Sequence, residues 1–538
     1  MINPGGRWRS YQRLGARLSG IEPPLWIGLL ASNLRGAGFA VEIVDAEAEE
    51  LSAEQVGQRV AELKPLLAAT VVFGANPQAS TQKMTAAGAI CSAIGRCAPQ
   101  VKRMLGGLHV SALPERTLRE EDVDFVCQGE GPYTLRALLA KLRAGDEDYR
   151  DVPGLWYFAG SPARKTAAGD RAEAQVVANA PAALITDLDA ELPGVAWDLL
   201  PMDRYRAHNW HCFDHIDRRQ PYAVIYTSLG CPYRCEFCCI NALFGRPGIR
   251  YRSPESVLAE IDLLVRRYGV RNIKVIDELF VLDAARVERI CDLLIERGYD
   301  LNFWAYARVN TVKPALLEKM KRAGFNWLAY GFESASEKVR DAVGKQSTDE
   351  QTERAIRWTR QAGIYIIANF IFGLPEDDHQ TMRQTLEMAK GHNFEFVNFY
   401  CAMAYPGSRL YQRALAEGWP LPEHWHGYSQ FGEETLPLPT KHLAAGEVLA
   451  FRDWAFVDYF SDSRYQQMIL DKFGQPVLEH VRQMLGYKMV RKYAARWDPS
   501  AGPPPSAVPA AGEKAASSGG GSERDTSRSG CSPDVAER

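Results

Sequence analysis

The sequence predicts an α/β protein: a doubly wound parallel sheet, then a partial (β/α)6 barrel, then a helical C-terminal region. Two observations predict the α/β parts. Strand-like and helix-like segments alternate as far as about residue 145, and a second alternation begins at residue 221. A third observation marks the end of the folded chain, because Pro, Gly, Ser and Ala replace the large apolar residues after Trp497.

The first alternation, residues 1–145, opens unusually. Only Met1 and Ile2 precede the first turn, MINPGG, so either the first strand is very short or the recorded start is late. The predicted helices are 25–38, 53–66, 79–97 and 130–142, and the predicted strands are 39–46, 68–75, 101–107 and 123–129. This order is typical of a doubly wound, Rossmann-like domain.

Residues 146–220 are predicted to form an irregular linker, because they are rich in Ala, Pro and Asp. The linker contains 208-HNWHCFDH-215, with three histidines and a cysteine. These residues lack the regular spacing of a metal site, so a packed or solvated loop is the favoured interpretation.

The second alternation, residues 221–420, predicts six βα units. Ser253 and Pro254 mark the start of the first helix, as a cap and a first-turn proline. The predicted strands are 222–228, 272–277, 302–307, 326–331, 365–373 and 395–401, and the helices lie near 255–268, 284–298, 313–323, 349–363, 378–391 and 408–417. Chemistry in such barrels occurs at the C-terminal ends of the strands.

Two regions complete the chain. Residues 421–496 are predicted to be helical and to pack on the barrel, with aromatic residues such as Trp454 and Phe456. Residues 497–538 are predicted to be disordered, since they cannot bury enough apolar surface to offset chain entropy. Cys531 lies in this tail and is not expected to bind a cofactor.

Composition narrows the function classes. The chain has 538 residues, a formal net charge of −3 and eleven cysteines. The charge gives no basic field for nucleic acid, and eleven cysteines in so long a chain do not form a disulfide scaffold. Apolar runs are too short to span a bilayer, and no secretory signal is recognisable. We therefore expect a cytoplasmic enzyme, and a tight cysteine cluster there indicates a metal.

The cysteine cluster lies in 230-GCPYRCEFCCIN-241, just after the first predicted barrel strand. Cys231, Cys235 and Cys238 have CxxxCxxC spacing, and Cys239 follows directly. Thiolates favour zinc or an iron–sulfur cluster, but each normally takes four protein ligands. Cys239 is a poor fourth ligand, because adjacent side chains in an extended segment diverge. Three ligands would leave one iron open to an exogenous ligand.

This motif after the first strand of a βα barrel resembles the radical SAM superfamily. The resemblance implies that Cys231, Cys235 and Cys238 hold a 4Fe-4S cluster, with S-adenosyl-L-methionine (SAM) on the fourth iron and Phe237 near its adenine. Cleavage of SAM would give a 5′-deoxyadenosyl radical.

Other strand ends are similar to the SAM-binding positions of that family. Asp277 and Glu278 follow the second strand, where many members place a glycine-rich contact that is missing here. Arg308 and Glu333 follow the third and fourth strands, and the alternative for these two residues is a solvated strand end. The turn with Gly373 and Pro375 resembles the family's adenine contact.

The first domain resembles the cobalamin-binding domain of cobalamin-dependent radical SAM enzymes. The stretches that carry this resemblance are 23-PPLWIGLLASNLRGAGFAVEIVDA-46, 106-GGLHVSALPE-115 and 128-QGEG-131. It implies cobalamin contacts at Gly106, Gly107, His109, Gly129 and Glu130. A DxHxxG motif is missing from residues 1–145, so we predict cobalamin with no protein histidine on cobalt and a loop-shaping role for His109. The alternative is a Rossmann-like module that has lost its cobalamin site.

The resemblance implies a methyltransferase that acts on an unactivated carbon of a small molecule through the SAM-derived radical and methylcobalamin. The alternative is an anaerobic oxidative cyclase of the Mg-protoporphyrin monomethyl ester type, or another reaction without methyl transfer. Trp304, Tyr306, Tyr400 and Tyr405 either line the substrate cavity or pack the barrel.

Two further classes are disfavoured. A tRNA methylthiotransferase would have three more cluster cysteines and an RNA-binding C-terminal barrel, whereas Cys91 and Cys97 lie on different faces of a predicted helix. The non-enzyme alternative is a structural zinc or sensor module, which would be colourless, whereas an iron–sulfur protein would be brown with broad absorption near about 400 nm. The expected partners are a small-molecule substrate and an electron donor such as flavodoxin or ferredoxin.

Overall fold

The structure, a computed structural model, describes residues 1–12, 18–160 and 174–496. The predictions for the 497–538 tail and Cys531 lie outside the described residues. Two parallel sheets form the frame, as the sequence predicts, and helices end the described chain. No helix in the described ranges is both long enough and apolar enough to cross a membrane.

The first sheet has seven strands in the order β2-β1-β3-β4-β5-β6-β7. Strands β1 to β5 run parallel, and the order 2-1-3-4-5 is that of a doubly wound sheet. The short first strand lies inside the sheet, between β2 and β3. The strands are Ile2–Asn3, Val44–Asp45, Leu67–Val72, Lys102–Gly107, Phe125–Cys127, Leu155–Phe158 and Val176–Ala178.

The helices of this region are α1 to α7. They span Arg7–Tyr11, Leu25–Gly36, Ala53–Leu63, Met84–Cys97, Leu108–Ala112, Pro114–Glu120 and Pro132–Ala144. The predicted strand 39–46 is much shorter in the structure, at Val44–Asp45. Helix α4 begins later than predicted, after two 3-10 turns at Pro77–Ala79 and Thr81–Lys83.

The prediction of an irregular linker from residue 146 is wrong for its first part. Strands β6 and β7 lie there and add two antiparallel strands to the edge of the first sheet. Their four and three residues are too short for a recognisable period within an Ala- and Asp-rich stretch. Pairing with β5 decides their conformation.

The second sheet has the order β15-β14-β13-β12-β11-β8, all parallel. Its strands, β8 and then β11 to β15 in chain order, are Tyr222–Ile225, Asn272–Val275, Asn302–Ala307, Phe325–Glu333, Tyr365–Phe372 and Phe396–Cys401. Six helices accompany these strands: α10 (Pro254–Tyr268), α11 (Ala284–Arg297), α12 (Pro314–Arg322), α14 (Asp349–Gln361), α15 (His379–His392) and α16 (Arg409–Ala416). Ser253 caps α10 as predicted, accepting the Ser256 N–H at 3.2 Å.

Short helices and the C-terminal helices complete the fold. Helices α8, α9 and α13 span Leu188–Glu191, Asn241–Phe244 and Glu337–Asp341, and α17 to α19 span Ala445–Ser461, Ser463–Phe473 and Gln475–Leu485. The predicted first barrel strand divides in two. Ser228–Leu229 leaves the sheet as β9 and pairs antiparallel with β10, Arg250–Tyr251.

The HNWHCFDH segment closes the lower end of the barrel. Trp210 packs edge-on against Trp304 at 5.0 Å between ring centroids, and Cys212 bonds the Asn272 amide. His211 bonds the Asn302 carbonyl at 2.9 Å. These contacts agree with the packed-loop interpretation of this segment.

Candidate functional site at the mouth of the barrel

The cysteine loop is enclosed by the β9–β10 hairpin, which brackets residues 230–249. Backbone contacts with the segments that follow β13 and β15 hold the loop. The Glu236 N–H donates to the Val343 carbonyl at 2.9 Å, and the Glu236 carbonyl accepts from the Leu410 N–H at 2.9 Å. The loop therefore lies at the C-terminal edge of the second sheet, where βα barrels carry out chemistry.

The thiols of this loop fall into two environments. Cys231, Cys235 and Cys238 are each partly exposed, whereas Cys239 is only 1% exposed and packs in the main core. Burial raises the pKa of Cys238 well above its usual range, with contributions from the neighbouring thiols of Cys239, Cys231 and Cys235. Among the described residues, however, no group of three or more His, Cys, Asp or Glu side chains lies close enough together to hold a metal ion.

Asp277, a predicted SAM contact, is fully buried at the end of β11. Its carboxylate accepts from the Thr227 N–H at 2.6 Å, the Thr227 hydroxyl at 2.5 Å and the Ser228 hydroxyl at 2.6 Å. Both oxygens are thus engaged with the segment that joins β8 to β9. This geometry indicates that Asp277 positions the entry to the cysteine loop rather than a ligand.

Glu278 and Arg308 lie closer to the cysteine loop. Glu278 accepts the Gly230 N–H at 3.3 Å, and burial raises its pKa to about 8. The Arg308 guanidinium lies 4.0 Å from the Tyr233 ring centroid, within that loop, and donates to the Gln346 carbonyl at 2.7 Å. The structure therefore brings these two predicted residues next to the cysteines.

Glu333 ends β13 in a strained conformation. Its φ is +66°, in the left-handed region that non-glycine residues rarely adopt, and a register shift in the β13–β14 pairing falls at this position. Its carboxylate forms a buried ion pair with Lys345 at 2.7 Å. Strain of this kind tends to occur at functional sites.

The turn after β14 is closed by a residue that the sequence analysis did not assign. Asp377 accepts the N–H groups of Gly373 and Leu374, both at 3.0 Å, and the Thr381 hydroxyl at 2.7 Å. Gly373 has φ +80°, and a Cβ there would lie 2.4 Å from Val448. Pro375 accepts from the Lys441 N–H at 3.1 Å. The sequence of this turn, FGLPED, could have indicated Asp377, because it places a carboxylate two residues after the proline.

Phe237 is half-buried between two small apolar clusters. One contains Leu410 and Leu438, and the other contains Leu374 and Ala402. Its ring thus packs beside the turn after β14, on the side where the sequence predicts adenine.

Of the two glycines at the end of β4, only Gly107 is required by close packing. Gly107 has φ +110°, and a Cβ there would lie 2.4 Å from the Val72 carbonyl oxygen of β3. A Cβ on Gly106 would make ordinary contact with Cys127 at 3.4 Å. Gly129 has φ +96° and donates to the Ser111 hydroxyl at 2.9 Å. These residues shape the loops at the strand ends.

Glu130 holds the two sheets together. Its carboxylate receives two bonds from the Arg250 guanidinium, at 2.6 and 3.0 Å, and one from the Ile185 N–H at 2.9 Å. Arg250 belongs to β10, the strand that closes the cysteine loop. The contacts indicate a bracing role, which differs from the predicted cobalamin contact.

His109 is completely buried on α5. One ring nitrogen lies 3.1 Å from the Thr81 hydroxyl, and the ring meets Trp425 edge-on at 4.5 Å between centroids. Burial lowers the pKa of His109 to about 3, so the imidazole is neutral. The other nitrogen forms no hydrogen bond within the described chain.

A cavity of about 90 Å³ with an open mouth lies between the two sheets. Its walls combine the ends of β1 and β3 with the ends of β8 and β11, through Phe73, Tyr226 and Ile276. The segment 19–27, which holds the Pro23–Pro24 pair, supplies another wall. Ligands of open α/β sheets bind at such strand ends.

Family comparisons match both parts of this arrangement. The B12 binding domain family matches residues 12–139, and the Radical SAM superfamily matches residues 225–389. This chain is a cobalamin-dependent radical SAM enzyme. Its cofactors are accordingly a 4Fe-4S cluster, SAM and cobalamin.

The enzyme is similar to proteins of two named activities. It is 29% identical to an uncharacterized methyltransferase of Pyrococcus horikoshii, over 81% of this chain and 88% of that one. It is 28% identical to the anaerobic magnesium-protoporphyrin IX monomethyl ester cyclase of Rubrivivax gelatinosus, over 75% and 68%. The methyltransferase TsrM of Kitasatospora setae, solved with cobalamin and a 4Fe-4S cluster, shares the fold with a TM-score of 0.58 at 18% identity, over 77% and 74%.

The cysteine loop of the enzyme fits a cluster in donor chemistry. It offers three soft thiols on one partly exposed loop, close enough that Cys231 and Cys235 both raise the pKa of Cys238. Such mutual repulsion between thiolates is relieved by iron. Assembly of the cluster on these thiols stays a proposal, because they do not form a metal site as they stand.

The interdomain cavity is a candidate site for cobalamin. Its wall includes the polar side chains of Arg7, Gln82 and Lys83. Within the described ranges, none of Gly106, Gly107, His109, Gly129 and Glu130 lines it. Pro23–Pro24 does line it, and this pair belongs to a stretch that carried the resemblance without being assigned a contact.

The barrel of the enzyme is closed below and open above. Residues that pair across parallel strands face the same side of the sheet, so register identifies the interior-facing rows. The lower row, with Trp304 paired to Trp327, is buried. Four paired residues of the upper rows are only partly buried although they lie inside the barrel: Asn369 and Asn398, and Ile371 and Tyr400. Together with the similarly placed Tyr306, they line an open lumen.

The four aromatic residues considered as cavity candidates therefore divide. Tyr306 and Tyr400 line the lumen, whereas Trp304 is 3% exposed and Tyr405 is 7% exposed. Trp304 packs at the floor, and the Tyr405 hydroxyl accepts from Gln430 at 3.1 Å.

Proposed function

We propose that the enzyme is a methyltransferase that methylates an unactivated carbon of a small-molecule substrate. The observation that carries this proposal is the shared wall between the interdomain cavity and the barrel mouth, formed by Tyr226 and Ile276. When bound, the cluster with SAM supplies a carbon radical, and cobalamin supplies a methyl group. Both activities would thus meet at one lumen.

The chain's own residues prepare this site. We propose that Cys231, Cys235 and Cys238 hold the cluster, with Phe237, Arg308, Glu333 and the Gly373–Pro375 turn around SAM. The buried aromatic floor around Trp304 keeps bulk water out of the lumen from below. Exclusion of water protects a reactive radical from side reactions.

The test is turnover after anaerobic reconstitution with iron, sulfide and cobalamin. Methyl transfer is expected to form both 5′-deoxyadenosine and S-adenosylhomocysteine, and to increase product mass by about 14 Da. A product without that gain, formed together with 5′-deoxyadenosine, would refute methylation. It would favour the cyclase class, to which the 28% identical relative belongs.

We also propose that a small acidic electron carrier, such as a flavodoxin or ferredoxin, reduces the cluster. The outer side of the cysteine loop exposes Pro232 and Arg234, and Cys235 beside them is partly exposed. A cationic side chain there would steer an acidic carrier. Arg234→Glu is expected to slow cluster reduction by flavodoxin, measured by stopped flow at low salt, while reduction by dithionite is unchanged. An equal rate with flavodoxin would contradict the proposal.

A further inference from the structure

The lumen presents polar groups that have no hydrogen-bond partner among the described residues. The hydroxyls of Tyr226, Tyr306 and Tyr400 form no hydrogen bond within the described residues, although each ring is enclosed by the fold. Asn398 donates one bond, to Asn369 at 3.0 Å, and its side-chain oxygen accepts none there. None of these atoms is among the buried polar atoms that lack a partner, so each is accessible and can bond a molecule that enters the lumen.

These phenols stay protonated and act as donors. Burial raises the pKa of Tyr306 and Tyr226 well above the ordinary value, and Tyr400 adds to the effect on Tyr306. Tyr306 lies on β12 and Tyr400 on β15, and the strand register turns both side chains into the same lumen. Each neutral hydroxyl can donate to an accepting oxygen of a molecule bound there.

The charged groups around the lumen are already engaged. Lys274 donates to both Glu22 oxygens at 2.9 Å and to the Ala75 carbonyl at 2.8 Å. Glu333 is paired with Lys345. A substrate charge in the lumen would thus find no free counter-ion among these residues, and burying an unpaired charge is strongly unfavourable.

Arg308 is a further cation close to the cysteine loop. Its guanidinium lies over Tyr233 of the cysteine loop and bonds the Gln346 carbonyl. It therefore faces the proposed SAM side of the site rather than the Tyr306–Tyr400 side. An anionic group bound between the phenols would be separated from it.

We propose that the part of the substrate seated in the lumen is uncharged and carries hydrogen-bond-accepting oxygen, as in an amide, ester or ketone, rather than a carboxylate or phosphate. This rests on the proposed function in that the lumen is taken as the methylation site. It specifies the chemical class that Tyr306, Tyr400 and Asn398 would hold beside the carbon to be methylated.

Acetamide and acetate provide a matched pair of probes, because they have nearly the same shape and differ in charge. Crystals of the full-length holoenzyme, grown anaerobically, would be soaked in each at equal concentration. Acetamide is expected in the lumen, with its oxygen bonded to Tyr306 or Tyr400, and acetate is expected to be absent. Acetate in that position, or neither probe in the lumen, would overturn the proposal.

Variants separate the phenols from a general effect on the fold. Tyr306→Phe together with Tyr400→Phe is expected to abolish the acetamide density, and Tyr306→Phe alone is expected to weaken it. Tyr157→Phe, a half-buried position in the first sheet, should leave it intact. Acetamide density that persists in the double variant would refute the assignment. Probe binding is independent of methyl transfer, so this result and the product mass can fail separately.

Discussion

Cys238 and Cys239 are adjacent in the chain but lie in different surroundings. Cys238 is partly exposed beside Cys231 and Cys235, and Cys239 is buried in the core. The sequence argument for their divergence, that adjacent side chains point apart, agrees with these positions. Neighbouring residues can thus have separate roles in one short motif.

We expect Cys239→Ala to retain about four irons per chain after reconstitution, and Cys238→Ala to lose nearly all of them. The reason is that only the second substitution removes a thiol of the exposed set. Iron would be measured colorimetrically, alongside absorbance near about 400 nm. Comparable iron loss in the two variants would show that the wrong three cysteines were chosen.

Asp377 makes folding stability depend on pH in a direction opposite to that of most carboxylates. Burial raises its pKa from the ordinary value of 3.8 to about 7, although three hydrogen bonds act in the other direction. The folded state therefore holds a proton across this window, which the unfolded chain has already released. Its contribution to stability is greatest at low pH and is lost as pH rises towards 7.

Asp377→Asn mimics the protonated side chain and cannot titrate. The melting temperature of wild type, relative to the variant, is expected to fall between about pH 4.5 and 7 and then to level off. Scanning calorimetry or fluorimetry of both proteins across this range gives the difference, in which other titrating groups cancel. A difference that does not change with pH would contradict the raised pKa.

At the scale of elements, the β10 strand links the two cofactor regions. The side chain of Arg250, a residue of β10, pairs with Glu130, which follows β5. The two side chains are 18% and 3% exposed. Both partners lie in short loops or strands whose sequences carry no periodic signal. Only the folded chain brings them together across 120 residues.

Glu130→Ala is expected to lower the free energy of unfolding by about 3 kcal/mol, because it leaves Arg250 without its buried partner. Adding Arg250→Ala should cost less than the sum of the two single changes, which a double-mutant cycle measures. The free energies of unfolding would be taken from the first transition in urea denaturation of each variant.

Glu255→Ala is the control for this cycle. Glu255 pairs with Arg289, but both side chains are at least half exposed, so its loss should cost under about 1 kcal/mol. A Glu130 variant no less stable than this control would argue against a brace between the sheets.

At the scale of the whole molecule, neither His208 nor His109 is placed as a free ligand beside the cavity. His208 lines the cavity, but it accepts the Gly20 N–H at 3.3 Å and lies 3.3 Å from Glu22. His109 has one nitrogen without a hydrogen bond, but it does not line the cavity and packs edge-on against Trp425.

Electron paramagnetic resonance of the cob(II)alamin form is expected to show no nitrogen superhyperfine splitting. The prediction follows from the positions of His208 and His109. Spectra would be measured on wild type, His109→Gln and His208→Gln. All three spectra should agree. Nitrogen splitting that one of these substitutions removes would identify that histidine as a cobalt ligand.

The sequence by itself determined the order of the two α/β regions, the six barrel strands and the three-cysteine motif. These features are local, because periodicity and motif spacing depend on residues close together in the chain. Tertiary structure decided which strand ends meet. It gave Asp277 and Glu130 bracing contacts, placed a cavity beside Pro23–Pro24 and opened the lumen at Tyr306 and Tyr400. Such features depend on register and packing between distant segments, which no local pattern encodes.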